Sequence, residues 1–246
     1  MGPSVPGREA ASTRLLVVNP NTNARVTANI RAAVERVVAG STLARVVNPA
    51  AGPFAIESEA DRDAAEPGML ALVRDSLAPA GARPDAYVLA AFDDIGLGAA
   101  RTLTGAPVIG AVEAGIAAAR TLGRRFAVVT TVEAALPGIR RQLRHHGAAD
   151  IATARAAGIG VAEAAEGGRA AHEKLLRAIY LAVNEDGADA ILLGSGGLTG
   201  TADRLRGHTS VPLIDAVLAA VTMAEALATL TRRTPAKGPA MRIAGG

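Results

Sequence analysis

The feature that most constrains the fold is an internal repeat: three segments of the first half of the chain return in the second half, in the same order. LLVVN at residues 15–19 matches FAVVT at 126–130, DAYVLAA at 85–91 matches DAILLGS at 189–195, and TGAPVIGAV at 104–112 matches TSVPLIDAV at 209–217. The shifts of 111, 104 and 105 residues are too long for a solenoid repeat. One match between Ala/Val-rich strands could arise by chance, but three in one order favour duplication of a whole α/β lobe.

Short apolar runs alternate with helical patterns along both halves. The runs predict strands at residues 15–18, 43–47, 87–91, 108–111, 126–129, 191–194 and 213–214. Helices are predicted at residues 27–38, 64–77, 136–146, 170–184 and 216–230. This alternation indicates right-handed βαβ units and mainly parallel sheets. A composition that is 50% hydrophobic but only 2% aromatic suits strands that are buried between helices.

The predicted fold is therefore α/β, with two pseudo-symmetric lobes, each a mainly parallel sheet flanked by helices, and a ligand site in the cleft between them. We expect the first lobe to span residues 13–108 plus 212–232, because the closing helix should pack back on it, and the second lobe to span residues 109–211. A disordered leader at residues 1–12 and a flexible basic tail at residues 233–246 are expected to flank the lobes.

Charge and composition argue against several classes of function. Lys plus Arg total 26 against 23 Asp plus Glu, without a dense basic block, and aromatic residues are few, so nucleic acid is not expected as a partner. No apolar run reaches the roughly 18 residues of a membrane span, and no signal peptide is recognisable, so a cytoplasmic location is expected. The chain has no cysteine and none of its four histidines has metal-ligand spacing, so no metal and no other cofactor is predicted.

The ends of the predicted strands point to one site. Ligands of open α/β sheets bind beyond the carboxyl ends of the strands, so the loops at residues 19–22, 91–94, 130–131 and 195–197 should converge. Ala91 and Ser195 are equivalent in the repeat and would approach a ligand from opposite sides.

Several polar residues in these loops have two readings. Asn19, Thr22, Thr130 and Thr131 could donate hydrogen bonds to a carbonyl or carboxylate, or could form turns and cap helices. A carboxylate in a dry pocket can act as a base, so Asp93 and Asp94 are candidates for that role, although capping a helix is the simpler explanation. Ser195 fits a binding role better than a nucleophilic one, because GSGG lacks the Gly-x-Ser-x-Gly spacing.

The same segments carry a family resemblance. VVNPNT at residues 17–22, AAFDDIGLGAAR at 90–101, RFAVVTT at 125–131 and LLGSGGLTG at 192–200 resemble the hydantoin racemase branch of the aspartate/glutamate/hydantoin racemase superfamily. GPFAIESEADRDAAEPG and PVIGAVEAG are similar to that branch too, and the likeness runs from about residue 14 to residue 230. It implies a cofactor-independent isomerase, expected to be a homo-oligomer, in which two cysteines move a proton at the carbon next to a carbonyl or carboxylate.

The chain departs from that family where the two cysteines should stand. The family pattern Ala-Cys-Phe is Ala90-Ala91-Phe92 here, and Gly-Cys-Ala-Gly is Gly194-Ser195-Gly196-Gly197. Alanine has no proton to exchange, and a serine hydroxyl is a poor base without an activating partner. Relatives that decarboxylate with one thiol keep the second cysteine, so their mechanism is missing as well. Gly196 and Leu198 also differ from the family's Ala and Met, which favours natural divergence over laboratory replacement.

The resemblance implies a small-molecule partner, hydantoin-like or derived from an amino acid, with a carbonyl or carboxylate group. Three interpretations stay open: a racemase-type protein whose two-thiol proton transfer is disabled, a lyase or hydrolase that uses the same pocket without cysteine, or a non-catalytic binder. The candidate catalytic positions are Ala91, Asp93, Asp94 and Ser195. The candidate substrate-binding residues are Asn19, Thr22, Phe92, Glu113, Thr130, Thr131, Gly196 and Gly197.

Overall fold

The structure is a computed structural model, in which residues 12–78 and 83–233 are described. Its first sheet is wholly parallel, with strand order β2-β1-β3-β4. The strands are β1 (Thr13–Val18), β2 (Thr42–Val47), β3 (Ala86–Leu89) and β4 (Val108–Gly110). The helices between them are α1 (Ala24–Val37), α2 (Glu59–Asp75) and α3 (Leu97–Leu103).

The second sheet repeats this arrangement, with strand order β6-β5-β7-β8 and every pair parallel. Its strands are β5 (Phe126–Thr130), β6 (Ala152–Ala156), β7 (Ala190–Leu193) and β8 (Leu213–Asp215). The remaining helices are α4 (Ala111–Leu122), α5 (Leu136–His145), α6 (Val161–Glu166), α7 (Arg169–Asn184), α8 (Ala202–Leu205) and α9 (Ala216–Arg233). The predicted two-lobed α/β fold is thereby confirmed.

Strand register shows that the repeat is structural. Leu15 of β1 pairs with Ala86 of β3, and Phe126 of β5 pairs with Ala190 of β7, so the matched segments occupy the same register in their sheets. Strands β3 and β7 also end at corresponding residues, Leu89 and Leu193. Ala91 lies two residues beyond β3, and Ser195 lies two residues beyond β7.

The two lobes are joined by two helices, each of which follows a strand of one sheet and packs on the other sheet. Helix α4 follows β4 of the first sheet but packs on β7 and β8, whereas α9 follows β8 of the second sheet and packs on β1 and β3. The two helices also pack on each other. Gly115 of α4 permits the close approach to β7 and to the start of α9, because a Cβ there would lie 2.8 Å from a methyl of Leu192 and 3.2 Å from the Cβ of Ala216. Buried side chains of both sheets, among them Val17 and Leu192, consequently belong to one continuous core.

Some elements differ from the sequence prediction. Strand β6 was not predicted, because ATARA is a partly exposed edge strand without an apolar run. The strand predicted at 108–111 ends at Gly110, and the next residue already begins α4. Helix α2 begins at Glu59, five residues before the predicted start at 64, because Ser58 and Asp61 form a capping box.

The predicted leader (1–12) and basic tail (233–246) lie almost wholly outside the described residues. The lobe boundaries at 108/109 and 211/212 stay predictions. Over residues 12–78 and 83–233, none of the helices combines the length and the apolar character that crossing a bilayer requires.

Candidate functional site

A chamber lies where the carboxyl ends of the two sheets meet. It has a volume of about 60 Å³, and we call it the inner chamber. The first lobe contributes Asn21, Ile56 and residues 90–93. The second lobe contributes residues 130–132, Ala135, Val161 and residues 194–196. Ala91 and Ser195, which the repeat made equivalent, therefore line one space from two sides.

The second-lobe wall carries the hydroxyl groups. The Ser195 Oγ accepts a hydrogen bond from the backbone N–H of Gly197 at 3.3 Å and lies 3.5 Å from the Thr131 Oγ1, which is placed to donate to it. The Thr130 hydroxyl instead donates to the carbonyl of Gly194 at 2.8 Å, which fixes the strand end. Within the described part of the chain, Ser195 has no hydrogen bond to a carboxylate, imidazole or amine. Its hydroxyl can orient a ligand but has no base to activate it.

Glycines let the two strand ends approach closely. A Cβ on Gly196 would lie 2.9 Å from the carbonyl oxygen of Ala90 in the other lobe, and a Cβ on Gly194 would lie 3.0 Å from the ring of Phe92. A Cβ on Gly197 would lie 2.6 Å from the carbonyl oxygen of Val161. The glycines that sequence reasoning assigned to substrate binding thus have a packing role, and Gly197 does not line the chamber.

The first strand end places Asn21, rather than Asn19, in the chamber. The buried Asn19 amide donates to the Asn21 Oδ1 and to the Thr27 Oγ1, each at 3.0 Å. The Thr22 hydroxyl donates to the carbonyl of Pro53 at 3.3 Å. Asn19 and Thr22 therefore hold the loop that presents Asn21, which sequence analysis had passed over although it belongs to the same Asn-Pro-Asn-Thr turn.

Asp94 and Glu113 face away from the inner chamber. The Asp94 carboxylate accepts hydrogen bonds from the backbone N–H groups of Val112 (2.9 Å) and Glu113 (3.1 Å), so it caps α4. The Glu113 carboxylate accepts from the Gly110 N–H and forms an ion pair with Arg101. Burial raises the pKa of Asp94 to about 7. The structure thus gives Asp94 the capping role, on α4 rather than on the next helix in sequence.

In the second lobe a buried aspartate also caps a helix, but it stands at a different position of the repeat. Asp215, at the end of β8, accepts hydrogen bonds from the N–H groups of Gly200 (2.7 Å), Val217 (3.1 Å) and Leu218 (3.2 Å). It therefore caps α9 and holds the loop that follows Ser195. Burial raises its pKa to about 6. The residue equivalent to Asp215 is Gly110, where a Cβ would meet the Asp94 carboxylate at 2.3 Å.

Asp93 lies on the wall of the inner chamber and is held by an arginine. Arg62 of α2 donates to both of its carboxylate oxygens, through Nε and Nη2, each at 2.7 Å. The Gln142 amide donates to the Asp93 backbone carbonyl at 3.3 Å. Burial raises the pKa of Asp93, while the hydrogen bonds and charge of Arg62 act in the opposite direction. This ion pair joins two residues that are 31 positions apart in the sequence, and no sequence motif predicts it.

A second cavity of about 190 Å³ opens beyond Asp93, and we call it the outer chamber. It shares Ile56, Phe92, Asp93 and Ala135 with the inner chamber. Its other lining residues are Glu57, Ser58, Glu59 and Arg62 from the first lobe, and Ala134, Pro137, Gly138, Ile139 and Arg141 from the second. Sequence analysis predicted none of these other residues as part of a site.

Comparison with known proteins assigns the family. The family described as Asp/Glu/hydantoin racemase matches residues 15–224. The chain belongs to this family. A hydantoin racemase from Rhizobium meliloti is 41% identical over 212 residues, covering 86% of this chain and 87% of the relative. A hydantoin racemase from Paenarthrobacter aurescens is 37% identical over 226 residues, covering 90% and 93%.

Solved structures of other proteins agree with the fold. An allantoin racemase from Klebsiella pneumoniae superposes with a TM-score of 0.85 at 38% identity, covering 89% of each chain. A glutamate racemase from Bacillus anthracis, at 14% identity and a TM-score of 0.64, shares the fold.

That the chain binds no metal and no other cofactor stays a prediction from the sequence. Over the described ranges, no group of three or more His, Asp and Glu side chains lies close enough to share a metal ion. The two histidine pairs, His145 with His146 and His172 with His208, are stacked edge to face and lie outside both chambers.

Proposed function

We propose that the inner chamber binds a small hydantoin-like or amino-acid-derived carbonyl compound between Ala91 and Ser195, and that this chain does not racemise it by the two-thiol route. One observation carries the proposal: two equivalent positions of the two lobes face one chamber, and neither the alanine nor the serine there is an acid or base that titrates near neutral pH. The relatives at 37–41% identity are named hydantoin racemases, which supports a cyclic ureide as the ligand.

The chamber suits such a ring in size and polarity. A volume of about 60 Å³ is room for roughly five water-sized groups, since one water needs about 10–15 Å³ by this measure. Ser195 and Thr131 supply hydroxyl groups, and Asn21 lies on the opposite wall. Phe92 and Ile56 provide apolar surface on which a flat ring can lie.

The two side chains that would abstract a proton by the two-thiol route are missing here. A thiol with a pKa near 8.5 can be tuned to act as a base, whereas Ala91 carries no titratable group and the Ser195 hydroxyl has only a backbone N–H and the Thr131 hydroxyl beside it. A ligand would therefore be bound and oriented without two-sided proton transfer.

A second candidate is a lyase or hydrolase that uses Asp93. The observation in its favour is that the Asp93 carboxylate lies in the wall of the inner chamber and that burial raises its pKa. The bidentate Arg62 pair opposes it, because a carboxylate held by a guanidinium is a weak base. Turnover of a bound hydantoin or amide that Asp93→Asn abolishes would establish this candidate in place of the first.

Calorimetric titration with hydantoin tests the proposed site. Ala91→Phe should fill the inner chamber and abolish binding, while Ala99→Phe, on an exposed position of α3, serves as the matched control and should bind as the natural chain does. Unchanged binding by Ala91→Phe would reject the site. We also propose a homo-oligomer in the cytoplasm, and sedimentation velocity of the purified chain would measure its assembly.

A further inference from the structure

We propose that the inner chamber binds a planar, acidic cyclic imide as its anion, in preference to a neutral ring of the same size, and that Asn21 is the residue that selects for the anion. This inference rests on the proposed function, because it places the ring between Ala91 and Ser195. It goes further in assigning the charge of the ligand and the hydrogen-bond donors that recognise it.

The first-lobe wall carries a buried amide whose NH₂ group has no partner. Asn21 is 5% exposed and lines the inner chamber. Its Oδ1 accepts hydrogen bonds from the backbone N–H of Asn23 at 2.9 Å and from the Asn19 amide at 3.0 Å. Since a backbone N–H can only donate, the contact with Asn23 fixes which end of the Asn21 amide is the oxygen.

The NH₂ group of this amide opens on the chamber. Within the part of the chain that the structure describes, the Asn21 Nδ2 makes no hydrogen bond, and the one fully buried side-chain polar atom without a partner is the Thr199 Oγ1. The Asn21 Nδ2 is therefore not sealed inside the protein, and the open space that the residue lines is the inner chamber. A ligand there meets a donor that no protein group satisfies.

The second-lobe wall offers donors as well. The Ser195 Oγ accepts a hydrogen bond from the Gly197 N–H, and the Thr131 Oγ1 is placed to donate to it. Both lone pairs of this oxygen then face donors, so its own hydrogen is left for a ligand. Of the backbone groups that line the chamber, the N–H groups of Phe92 and Gly196 have no acceptor among the described residues.

Acceptors on the chamber walls are engaged within the protein. The backbone carbonyls of Ala91, Thr131 and Gly194 each accept a hydrogen bond of 2.8–2.9 Å. The carboxylate among the lining residues is Asp93, and both of its oxygens are held by Arg62, which also neutralises its charge. A ligand that donates finds few free acceptors, whereas a ligand that accepts meets free donors from both lobes.

This imbalance favours an anion. Hydrogen bonds to an ionised acceptor are roughly twice as strong as hydrogen bonds between neutral groups. The anion of a cyclic imide accepts at its nitrogen and at both flanking carbonyl oxygens, so donors on the two walls offset the loss of its hydration. Hydantoin carries two N–H groups instead, and burying a donor without an acceptor is costly.

Calorimetric titration at pH 7.5 with three rings of equal size tests the inference. Oxazolidine-2,4-dione is ionised at this pH, whereas hydantoin and succinimide are neutral. We expect oxazolidine-2,4-dione to bind the natural chain at least about tenfold more tightly than either neutral ring, the gain from two charge-assisted hydrogen bonds. Ala91→Phe should abolish this binding. Equal affinities for the three rings, or tighter binding of a neutral ring, would overturn the inference.

Asn21→Asp tests the selecting residue with little change of shape. The aspartate keeps one oxygen for the Asn19 and Asn23 donors but presents a carboxylate oxygen where the NH₂ group stood. The ratio of oxazolidine-2,4-dione affinity to succinimide affinity should fall at least about tenfold, a ratio that the folded fraction does not alter. Asn48→Asp is the matched control, because it makes the same change of charge in the same lobe outside the lining of the chamber, and it should keep the natural ratio.

The outcomes separate this inference from the proposed function. An unchanged ratio in Asn21→Asp, or hydantoin binding that oxazolidine-2,4-dione does not exceed, overturns the inference alone. Binding of the ionised ring alone, abolished by Ala91→Phe, supports the inference and replaces hydantoin as the ligand. If no ring binds, or if binding survives Ala91→Phe, the proposed function fails and the inference falls with it.

Discussion

Replacing Asp215 by asparagine should change how stability depends on pH. The carboxyl group is buried, caps α9 and holds the loop after Ser195 through Gly200. Burial raises its pKa from the ordinary 3.8 to about 6, so between these values the folded state binds a proton that the unfolded chain does not. The stability that this proton uptake contributes approaches its full value only below the unfolded pKa of 3.8. It is lost as the pH rises through 6.

The size of the effect follows from the two pKa values. A rise from 3.8 to about 6 corresponds to about 3 kcal/mol. Asparagine has no proton to gain, so the difference in free energy of unfolding between the natural chain and Asp215→Asn should be about 2 kcal/mol larger at pH 4 than at pH 7, somewhat less than the full value because the unfolded carboxyl is itself partly protonated at pH 4. Asp94 titrates in both proteins, and its contribution cancels in that difference to first order.

Urea unfolding followed by circular dichroism at pH 4, 5, 6 and 7 measures this difference. The matched control is Asp189→Asn. Asp189 lies at the surface and accepts hydrogen bonds from the N–H groups of Arg125 and Arg124, which lower its pKa. Its stabilising contribution is lost as the pH falls, so the control should show the opposite slope. Parallel profiles for the natural chain and Asp215→Asn would refute the reasoning.

Two further substitutions test how the lobes are joined. Gly196→Ala places a Cβ 2.9 Å from the Ala90 carbonyl oxygen. It should therefore lower the free energy of unfolding by about 1–3 kcal/mol, measured by thermal unfolding, and reduce hydantoin affinity, measured by titration. Unchanged values of both would show that the strand ends have room to move. Glu57→Ala removes the carboxylate oxygen that accepts a hydrogen bond from the Val161 N–H at 2.8 Å. It should lower the free energy of unfolding by about 1–2 kcal/mol and speed amide hydrogen exchange at Val161. An unchanged exchange rate at Val161 would exclude the contact.

The parts of the fold that could be predicted are those with a local signal. Buried parallel strands are apolar runs, so β1, β3, β5 and β7 were recognisable, and the repeat aligned Ala91 with Ser195. The edge strand β6 alternates small and polar residues and has no such signal. The capping box at Ser58 was present in the sequence and would have given the true start of α2.

The candidate site was predictable only at the strand ends. Residues 91–93, 130–131 and 195–196 line the inner chamber because they lie at or just beyond the carboxyl ends of the central strands of the sheets. The outer chamber depends on α2 and α5 meeting across the lobes, and only tertiary structure brings Arg62 to Asp93. For the same reason Asp94 and Glu113 were expected at the ligand, although packing directs both to the start of α4.

The central claim is that this member of the Asp/Glu/hydantoin racemase family keeps the ligand chamber but lacks the two proton-transfer groups. Exchange of the C5 proton of enantiopure 5-ureidohydantoin in D₂O, followed by NMR, tests it most directly. The natural chain should show no exchange above the buffer rate. Ala91→Cys combined with Ser195→Cys should exceed either single replacement by about 10²-fold or more, since the two groups act as a unit. Exchange by the natural, cysteine-free chain well above the buffer rate would contradict the account.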